Sequence, residues 1–484
     1  MKKIFLYIWL IVFVLSSCTD QIMNEIDSNP NRVNDAPLKT LLPKVEVSYV
    51  CNIVGGDHTS SATAVYYLSE QNGFVNGGSN NLASSKGFGG QLWNQAYLDI
   101  NDLNIIKEKA LKSEAWTYAG IADVLKALNL ATLTDLFSDI PYIEAFSTKI
   151  INPKFDQSQS IYDEIHRNLD EAIVTLGKPA GLFEPKTDDM IFGGNKAMWI
   201  KTAYGLKARL YNRMSNIDPT GSANNVLAAI SKSFANENEN FIFSKFADTK
   251  ENSNPFVKGQ ILQPLSSVGS GIYKVMSSFS PSGIVEDDPR ANIWFTKVKG
   301  KIIAAPNGTE LPDFGEPRLD GAVYSKPEIF KVQNAPMPLL MYIELKFIEA
   351  EAQLRLNKKT DANAAYQTAV TLALKQASAF KSSLALTTQQ MNTYMSFPKV
   401  FPGEANLSLQ EIILQKYIYF YQYQPIEAYN DIRRSGMVAI TNPLGRVNRI
   451  PYPDSETTRN TSTPKDIDNY TAFDAAKKVF WAKK

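Results

Sequence analysis

Apolar residues recur every three or four positions in several blocks of the chain, which is the spacing that places them on one face of an α-helix. In the block from Asn195 to Met214, Trp199, Ala203, Leu206 and Leu210 share such a face. The same spacing predicts further helices at 93–112, 113–133, 159–176, 224–235, 339–356, 361–380 and 408–423. Short connections between neighbouring blocks favour helical hairpins of the tetratricopeptide type. A fixed period of about 34 residues is absent, so a regular solenoid is not predicted.

Two long regions, 51–92 and 241–338, interrupt the helical pattern. The first contains three Gly-Gly pairs, the second many prolines and glycines, and both contain scattered aromatic residues. Loops of this length inside a compact protein are usually functional or disordered. Their aromatic content favours ordered, functional loops. The sequence therefore predicts a mostly α-helical scaffold with few short strands, in which the two loop regions carry the ligand site.

The first eighteen residues have the pattern of an export signal. Two lysines precede an uncharged apolar run at 4–15, which ends at two serines and Cys18. The run is too short to span a bilayer, which takes about 20 residues. Leu15-Ser-Ser-Cys18 also has the form of a lipobox, which predicts a signal peptide at 1–17 and a lipidated Cys18. An ordinary cleaved signal with an incidental cysteine is the alternative.

The segment after the predicted signal is polar, contains Asn29-Pro-Asn31 and Pro37, and is interpreted as a tether from 18 to 40. A single helical domain is predicted from 41 to 484. Removal of residues 1–17 changes the formal charge from +1 to −1, because Lys2 and Lys3 leave with the signal. A nearly neutral chain has no electrostatic footprint for nucleic acid.

Cysteine and histidine are too scarce for much of the common site chemistry. A lipidated Cys18 leaves Cys51 as the one remaining thiol, so no intramolecular disulfide is expected. The chain has two histidines, His58 and His166, far apart in sequence. Two histidines are too few for us to expect histidine-based catalysis or a histidine-rich metal site. The helical pattern around His166 predicts an exposed position.

Several motifs occur in order along the chain. They are Asn29-Pro-Asn31, Leu41-Leu-Pro43, 135–145, Phe155-Asp-Gln157, 344–352, 413–419, 427–436 and 450–456. In this order they resemble the SusD/RagB-type nutrient-binding outer-membrane lipoproteins, in particular the SusD-like branch. Two departures are mild: Ser138 stands where the family commonly has glycine, and Tyr417 and Tyr429 stand where tryptophans are often found.

The resemblance implies a binding protein without a cofactor or catalytic residues. Such proteins lie on the outer leaflet over a SusC-like TonB-dependent transporter, capture oligosaccharides or other nutrients, and deliver them into the barrel. Sugar capture needs aromatic faces together with amides and carboxylates. The candidate ligand residues are Asn80, Asn81, Trp93 and Asn94 in the first loop region and Tyr273, Asn292, Trp294 and Tyr324 in the second. Each alone is a candidate for the core as well, so the prediction rests on the clusters.

Several charged residues have a structural interpretation beside a functional one. Asp135 and Asp139 flank an apolar pair before a proline, and we expect them to cap backbone groups rather than to bind a metal. Glu427, Arg433 and Arg434 are expected to form a buried ion-pair lock. No metal site is predicted.

Two further groups of acidic residues also have a structural interpretation beside a functional one. Glu344, Glu349 and Glu351 resemble a glycosidase pair only superficially, because positions 349 and 351 do not face each other on a helix. We expect a solvated or ion-paired surface there. Asp287-Asp-Pro-Arg290 precedes aromatic residues and is interpreted as fixing a loop, with the border of the ligand site as the alternative.

Three functions compete. A surface glycan-binding protein is the first, and a binder of peptides instead of glycans is a variant of it. A surface glycoside hydrolase needs two carboxylates held in a cleft, and no convincing pair or Gly-Xaa-Ser-Xaa-Gly motif is present in the sequence. A helical scaffold that binds only its transporter is the third.

Overall fold

The structure is a computed structural model of the full chain. It describes residues 36–56, 67–70, 89–262, 266–305, 324–328, 331–377, 385–422, 424–436, 449–464 and 478–482. Cys18, Asn80 and Asn81 lie outside these ranges, so the predictions made for them stay predictions. The division into a signal peptide, a tether and one domain also stays a prediction.

Helices dominate the described residues, which confirms the predicted fold class. They are α1 (Leu38–Ser48), α2 (Gly90–Lys112), α3 (Trp116–Phe137), α4 (Ser158–Leu176), α5 (Lys196–Arg213), α6 (Pro219–Ile230), α7 (Pro255–Leu262), α8 (Ser270–Phe279), α9 (Ala291–Trp294), α10 (Tyr342–Arg355), α11 (Lys359–Ala377), α12 (Thr388–Met395), α13 (Leu409–Phe420), α14 (Pro425–Ser435) and α15 (Asp454–Arg459). A single π-helical turn, Tyr49–Val54, continues α1.

Strands are few and short, as predicted. They are β1 (Leu68–Glu70), β2 (Ile140–Pro141), β3 (Phe155–Asp156), β4 (Phe241–Phe243), β5 (Ser266–Val268) and β6 (Met337–Leu340). Three antiparallel pairs form, β1 with β5, β2 with β3 and β4 with β6. The pair β1–β5 joins the two irregular regions to each other, and the pair β4–β6 joins the two ends of the second region.

Consecutive helices pack against one another along the scaffold. Helix α2 contacts α3, α3 contacts α4, α4 contacts α5, and α5 contacts α6, after which α6 contacts α10 and α10 contacts α11. This succession of neighbouring pairs agrees with the predicted hairpins. One apolar core includes residues from Leu41 to Ala482. Helix α8, from the second loop region, packs on α13 and so attaches that region to the scaffold.

Local sequence signals explain several helix ends. Ser408 and Glu411 form a capping box at the start of α13, and the Asn195 side chain accepts a hydrogen bond from the Met198 N–H at the start of α5. Gly436 ends α14 with a left-handed backbone, φ +64°. At the end of α3, by contrast, Ser138 has φ +73° and ψ −116°, a conformation that normally requires glycine.

Helix α1 begins at Leu38, inside the segment predicted as a tether from 18 to 40, whose bounds stay a prediction. The region 241–338 is not one long loop, because it contains α7, α8, α9 and parts of two strand pairs. These helices are 4 to 10 residues long, too short to give a convincing periodic pattern.

Candidate ligand-binding surface

Two of the sequence candidates, Trp93 and Trp294, belong to the core. The Trp93 ring packs edge-on against Phe137, with 4.9 Å between centroids, and only 3% of the residue is exposed. Trp294 is fully buried, and its indole N–H donates to the Ala377 carbonyl at 3.3 Å. Neither ring offers a face to a sugar in this structure. The prediction that these two rings contact the ligand is therefore wrong, and the interpretation as core residues holds.

Tyr273 and Asn292, in contrast, lie at the surface near Glu286. The Asn292 side-chain amide donates to the Glu286 carbonyl oxygen at 2.9 Å, and Asn292 is exposed. Burial and the nearby Glu286 carboxylate raise the pKa of Tyr273, whose ring is half-buried. Sequence reasoning named both residues but missed Glu286, which stands immediately before the Asp-Asp-Pro-Arg motif. The Asp-Asp-Pro-Arg motif was the feature of the sequence that could have pointed to Glu286.

The other side of this surface is formed by the segment at 302–303. The Glu286 carboxylate accepts a hydrogen bond from the Ile302 N–H at 2.8 Å. Ile303 in turn exchanges backbone and side-chain hydrogen bonds with Ser325, the neighbour of Tyr324. We call the area formed by Tyr273, Ile284, Glu286, Asn292 and Ile303 the Glu286 surface. Ile284 and Ile303 add exposed apolar area to it, and half-buried Tyr324 adjoins it.

A buried arginine fixes the turn that presents Glu286. The Arg290 guanidinium binds both oxygens of Asp288, at 2.9 and 2.7 Å, and also donates to the Tyr394 hydroxyl and the Gln415 amide oxygen, at 2.9 and 3.1 Å. Burial lowers the pKa of Arg290, but the Asp288 carboxylate raises it further, so the guanidinium stays charged. Bidentate pairs of this kind hold a defined geometry. The interpretation of Asp287–Arg290 as a loop-fixing motif is confirmed, and it also borders the Glu286 surface.

Asn94, the remaining described candidate, lies apart from these residues. It is exposed on the first turns of α2, beside the buried Trp93, whose ring packs on Phe137 and Tyr452. Its neighbours come from different elements than those of Tyr273 and Asn292. The structure therefore joins candidates of the second loop region to one another but adds nothing that links Asn94 to them.

The charged motifs mostly form a buried network inside the scaffold. Arg213 binds Asp135 at 2.8 Å and Glu427 at 2.6 Å, while Arg209 binds both oxygens of Glu344 at 2.7 Å. Asp135 also accepts hydrogen bonds from Tyr162, Asn430 and Trp481. Its predicted role as a cap is therefore wrong. Asp139 does accept the Ser158 N–H at the start of α4, as expected of a capping carboxylate.

A second cluster surrounds Glu351, which is fully buried. It pairs with Arg434 at 2.8 Å, with Arg355 at 3.0 Å and with Lys416, and these three cations hold its pKa well below the usual value in spite of burial. The expected ion pairing of this helix is confirmed, but its location at the surface is wrong. The buried ion-pair lock predicted for Glu427, Arg433 and Arg434 also exists, but with different partners. Glu427 pairs with Arg209 and Arg213 of α5, and Arg434 pairs with Glu351.

A small cavity lies beside this network. It is lined by aliphatic and charged or polar side chains, namely Ala127, Leu128, Ala131, Thr132, Asp135, Leu169, Leu206, Arg209, Leu210, Arg213, Ile426, Glu427 and Asn430. No aromatic ring is among these lining residues, and its four charged groups are already paired with one another or with Glu344. The cavity lacks the stacking face that sugar recognition uses.

His166 does not offer a metal or acid–base site. It is stacked on Tyr211 with 4.5 Å between ring centroids, and burial lowers its pKa to about 4. His166 is therefore half-buried, and the prediction of an exposed position is wrong. Across the described ranges, no group of three or more His, Cys, Asp or Glu side chains is arranged to hold a metal ion. Within the same ranges, none of the helices has both the length and the apolarity to cross a bilayer.

Comparison with known families decides the identity of this fold. A family model described as "Starch-binding associating with outer membrane" matches residues 30–454, most of the chain. The chain belongs to the SusD-like family. The resemblance noted in the sequence is thereby confirmed, and the description of this family names starch binding and association with the outer membrane. No match was found among curated proteins.

Solved structures of other SusD-type proteins share the fold over nearly the whole chain. A SusD/RagB family protein from Bacteroides thetaiotaomicron superposes with a TM-score of 0.81 at 24% identity, covering 93% of this chain and 100% of its own. A chitin-binding SusD homologue from Flavobacterium johnsoniae gives 0.73 at 18% identity, covering 92% and 100%. A SusD homologue from Bacteroides uniformis gives 0.73 at 20% identity, covering 93% and 100%. At these identities the likeness establishes the fold alone.

Proposed function

We propose that this SusD-like protein is a non-catalytic, cell-surface glycan-binding protein. In this proposal, lipid on Cys18 holds it at the outer membrane, and it passes oligosaccharides to a SusC-like TonB-dependent transporter. The family description and the export pattern of the first eighteen residues support the location. The chitin-binding homologue with the same fold supports glycans as the ligand class.

The observation that carries the ligand site is the convergence of Tyr273, Asn292 and the segment at 302–303 on Glu286. A half-buried tyrosine ring offers a face for the apolar side of a pyranose. The Glu286 carboxylate has acceptor capacity beyond its bond to Ile302, and the Asn292 amide oxygen is a further acceptor for hydroxyl groups. We infer that a sugar lies over Tyr273 with hydroxyls directed to these two side chains.

Adjacent acids at this surface do not support a hydrolase. Glu286 binds the Ile302 N–H, whereas the neighbouring Asp287 accepts hydrogen bonds from Ser280 and Ser282, at 2.5 Å each. The two carboxylates are thus committed to different segments. A glycosidase needs its two carboxyl groups to face each other across the scissile bond, about 5 to 10 Å apart.

The test is calorimetric titration with maltooligosaccharides and chitooligosaccharides. We expect one class to bind, and Tyr273→Ala to weaken binding on the order of tenfold or more, the loss of one stacking ring. Tyr204→Ala is the matched control, because Tyr204 is also half-buried but lies on α5 beside Lys232. Equal effects of the two variants would refute the Glu286 surface as the site. New reducing ends during incubation would refute a purely binding role.

A further inference from the structure

Four large apolar side chains are exposed around one end of α2, α3 and α4. The exposed fractions are 42% for Leu111, 69% for Val174, 74% for Leu182 and 60% for Phe183. Single exposed apolar residues are common on protein surfaces, but groups of them mark sites of interaction with proteins or membranes. This group is separate from the Glu286 surface and is not part of the proposed ligand site.

Half-buried Trp116, at the start of α3, adjoins the loop that carries Leu182 and Phe183. The backbone of Gly181, which precedes Leu182, packs so tightly on the turn between α2 and α3 that an added Cβ would lie 1.9 Å from the Glu114 carbonyl oxygen. Lys178, one turn after Val174, places its ammonium group 3.8 Å from the centroid of the Trp116 ring. We call Leu111, Trp116, Val174, Leu182 and Phe183 the anchor-side face.

The loop that carries Leu182 and Phe183 is held in place by half-buried and exposed hydrogen bonds. The Glu184 carboxylate accepts the Gly181 N–H at 2.6 Å and the Thr117 hydroxyl. The Lys196 ammonium donates to the carbonyls of Lys178 and Pro179, at 2.9 and 3.1 Å. Both apolar side chains are therefore exposed by a fixed backbone, so binding through them would require little ordering of the loop.

The start of the described chain lies at the same end of the fold. The carbonyl of Ala36 accepts a hydrogen bond from Lys109 at 2.9 Å, and Lys109 is two residues before Leu111 on α2. Seventeen residues lie between Cys18 and Ala36, a segment that spans at most roughly 60 Å when extended. A lipid on Cys18 thus keeps the anchor-side face within reach of the bilayer.

We propose that the anchor-side face rests on the lipid surface of the outer membrane and orients the domain there. Leucine, valine and phenylalanine side chains partition into the interface, and a tryptophan indole prefers its polar boundary. A single lipid anchor with a polar tether does not fix orientation, whereas a second contact beside the tether does. This inference rests on the proposed lipid anchor at Cys18 but not on the identity of the glycan.

The test uses the chain from residue 18 onward with Cys18→Ser, so that no acyl chain contributes. Binding is measured by flotation with vesicles of equimolar phosphatidylethanolamine and phosphatidylglycerol. We expect the protein to float with vesicles and Leu182→Ser/Phe183→Ser to lower its partition coefficient on the order of tenfold. The control is Ile143→Ser/Ile151→Ser, at residues that are 77% and 88% exposed. Ile143 lies two residues after Pro141, whose carbonyl accepts a hydrogen bond from Tyr97, about 20 Å along α2 from Leu111.

Unchanged partition in the Leu182→Ser/Phe183→Ser variant would overturn the proposal, as would an equal loss in the control variant or no vesicle binding at all. Binding of this face to purified transporter without vesicle binding would also overturn it in favour of a protein partner. Thermal unfolding followed by circular dichroism verifies that both variants fold. Glycan titration of the same samples separates the two proposals, because its failure would contradict the proposed function and leave the vesicle result standing.

Discussion

Ser138→Gly should stabilise this protein, an uncommon outcome for a substitution in a buried turn. Ser138 follows α3 with φ +73° and ψ −116°, the mirror image of the extended region, where a Cβ is in steric conflict with the backbone. Backbone strain of this kind costs about 1–3 kcal/mol, and the upper end applies because this region is nearly exclusive to glycine. The side chain is buried, and its hydroxyl has no hydrogen-bond partner among the described residues.

The magnitude follows from three contributions. Relief of strain gives about 3 kcal/mol. The greater backbone freedom of glycine in the unfolded chain takes back about 0.4–1 kcal/mol, and loss of the buried Cβ contact takes back about 0.8 kcal/mol. The hydroxyl contributes nothing that must be replaced. We therefore expect the free energy of unfolding to rise by about 1.5 kcal/mol.

Equilibrium urea denaturation, followed by circular dichroism, measures this change. Ser138→Ala is the matched control, because it removes the hydroxyl and keeps the Cβ. The alanine variant keeps the strained Cβ, so it should gain clearly less stability than the glycine variant, and any gain it shows measures the release of the buried, unpaired hydroxyl. An equal gain in both variants would show that the hydroxyl, not the backbone, was the source. A glycine variant no more stable than the parent would refute the reasoning.

Two further predictions follow from buried groups. Because its ring lies in the core, Trp93→Ala should lower the free energy of unfolding by about 3–5 kcal/mol. The folded fraction of this variant should keep its glycan affinity in titration. An unchanged free energy of unfolding together with weaker glycan binding would contradict this prediction. Burial raises the pKa of Asp99 to about 6, against hydrogen bonds from Gln95 and Ser48 that lower it, so the folded protein binds this proton more tightly than the unfolded chain. The contribution of Asp99 to the free energy of unfolding is therefore complete below about pH 4 and is lost as the pH rises through about 6. After solvent screening this contribution amounts to about 1–2 kcal/mol. Urea denaturation at about pH 4.5 and about pH 7 should show a smaller decrease for Asp99→Asn than for the parent.

The helical scaffold could be predicted because its signals are local. The block predicted at 195–214 is α5, Lys196–Arg213, since one apolar face and the capping residue Asn195 both lie within it. The elements of the region 241–338 could not be found in this way. Strand β5 pairs with β1, about 200 residues earlier, and such a pairing leaves no mark on the local sequence pattern.

The site was predictable only in part, for a related reason. An aromatic ring has the same sequence signature whether it stacks on a sugar or fills a core, and only packing distinguished Tyr273 from Trp294. The acids of α10 raised the same difficulty. Glu344 is buried because Arg209, 135 positions away, neutralises it, and no local pattern reveals a partner at that distance.

The contact between Asp135 and Trp481 has a consequence for the order of folding. The indole N–H of Trp481 reaches the Asp135 carboxylate across 346 positions of the chain, and the Trp481 carbonyl also accepts a hydrogen bond from Asn216. Closing so long a loop is slow, because its entropy is lost before the contact forms. Helix α3 therefore cannot complete its surroundings until residue 481 has been synthesised. For the export proposed above this delay has a use, because a chain that is still incompletely folded can be threaded across a membrane.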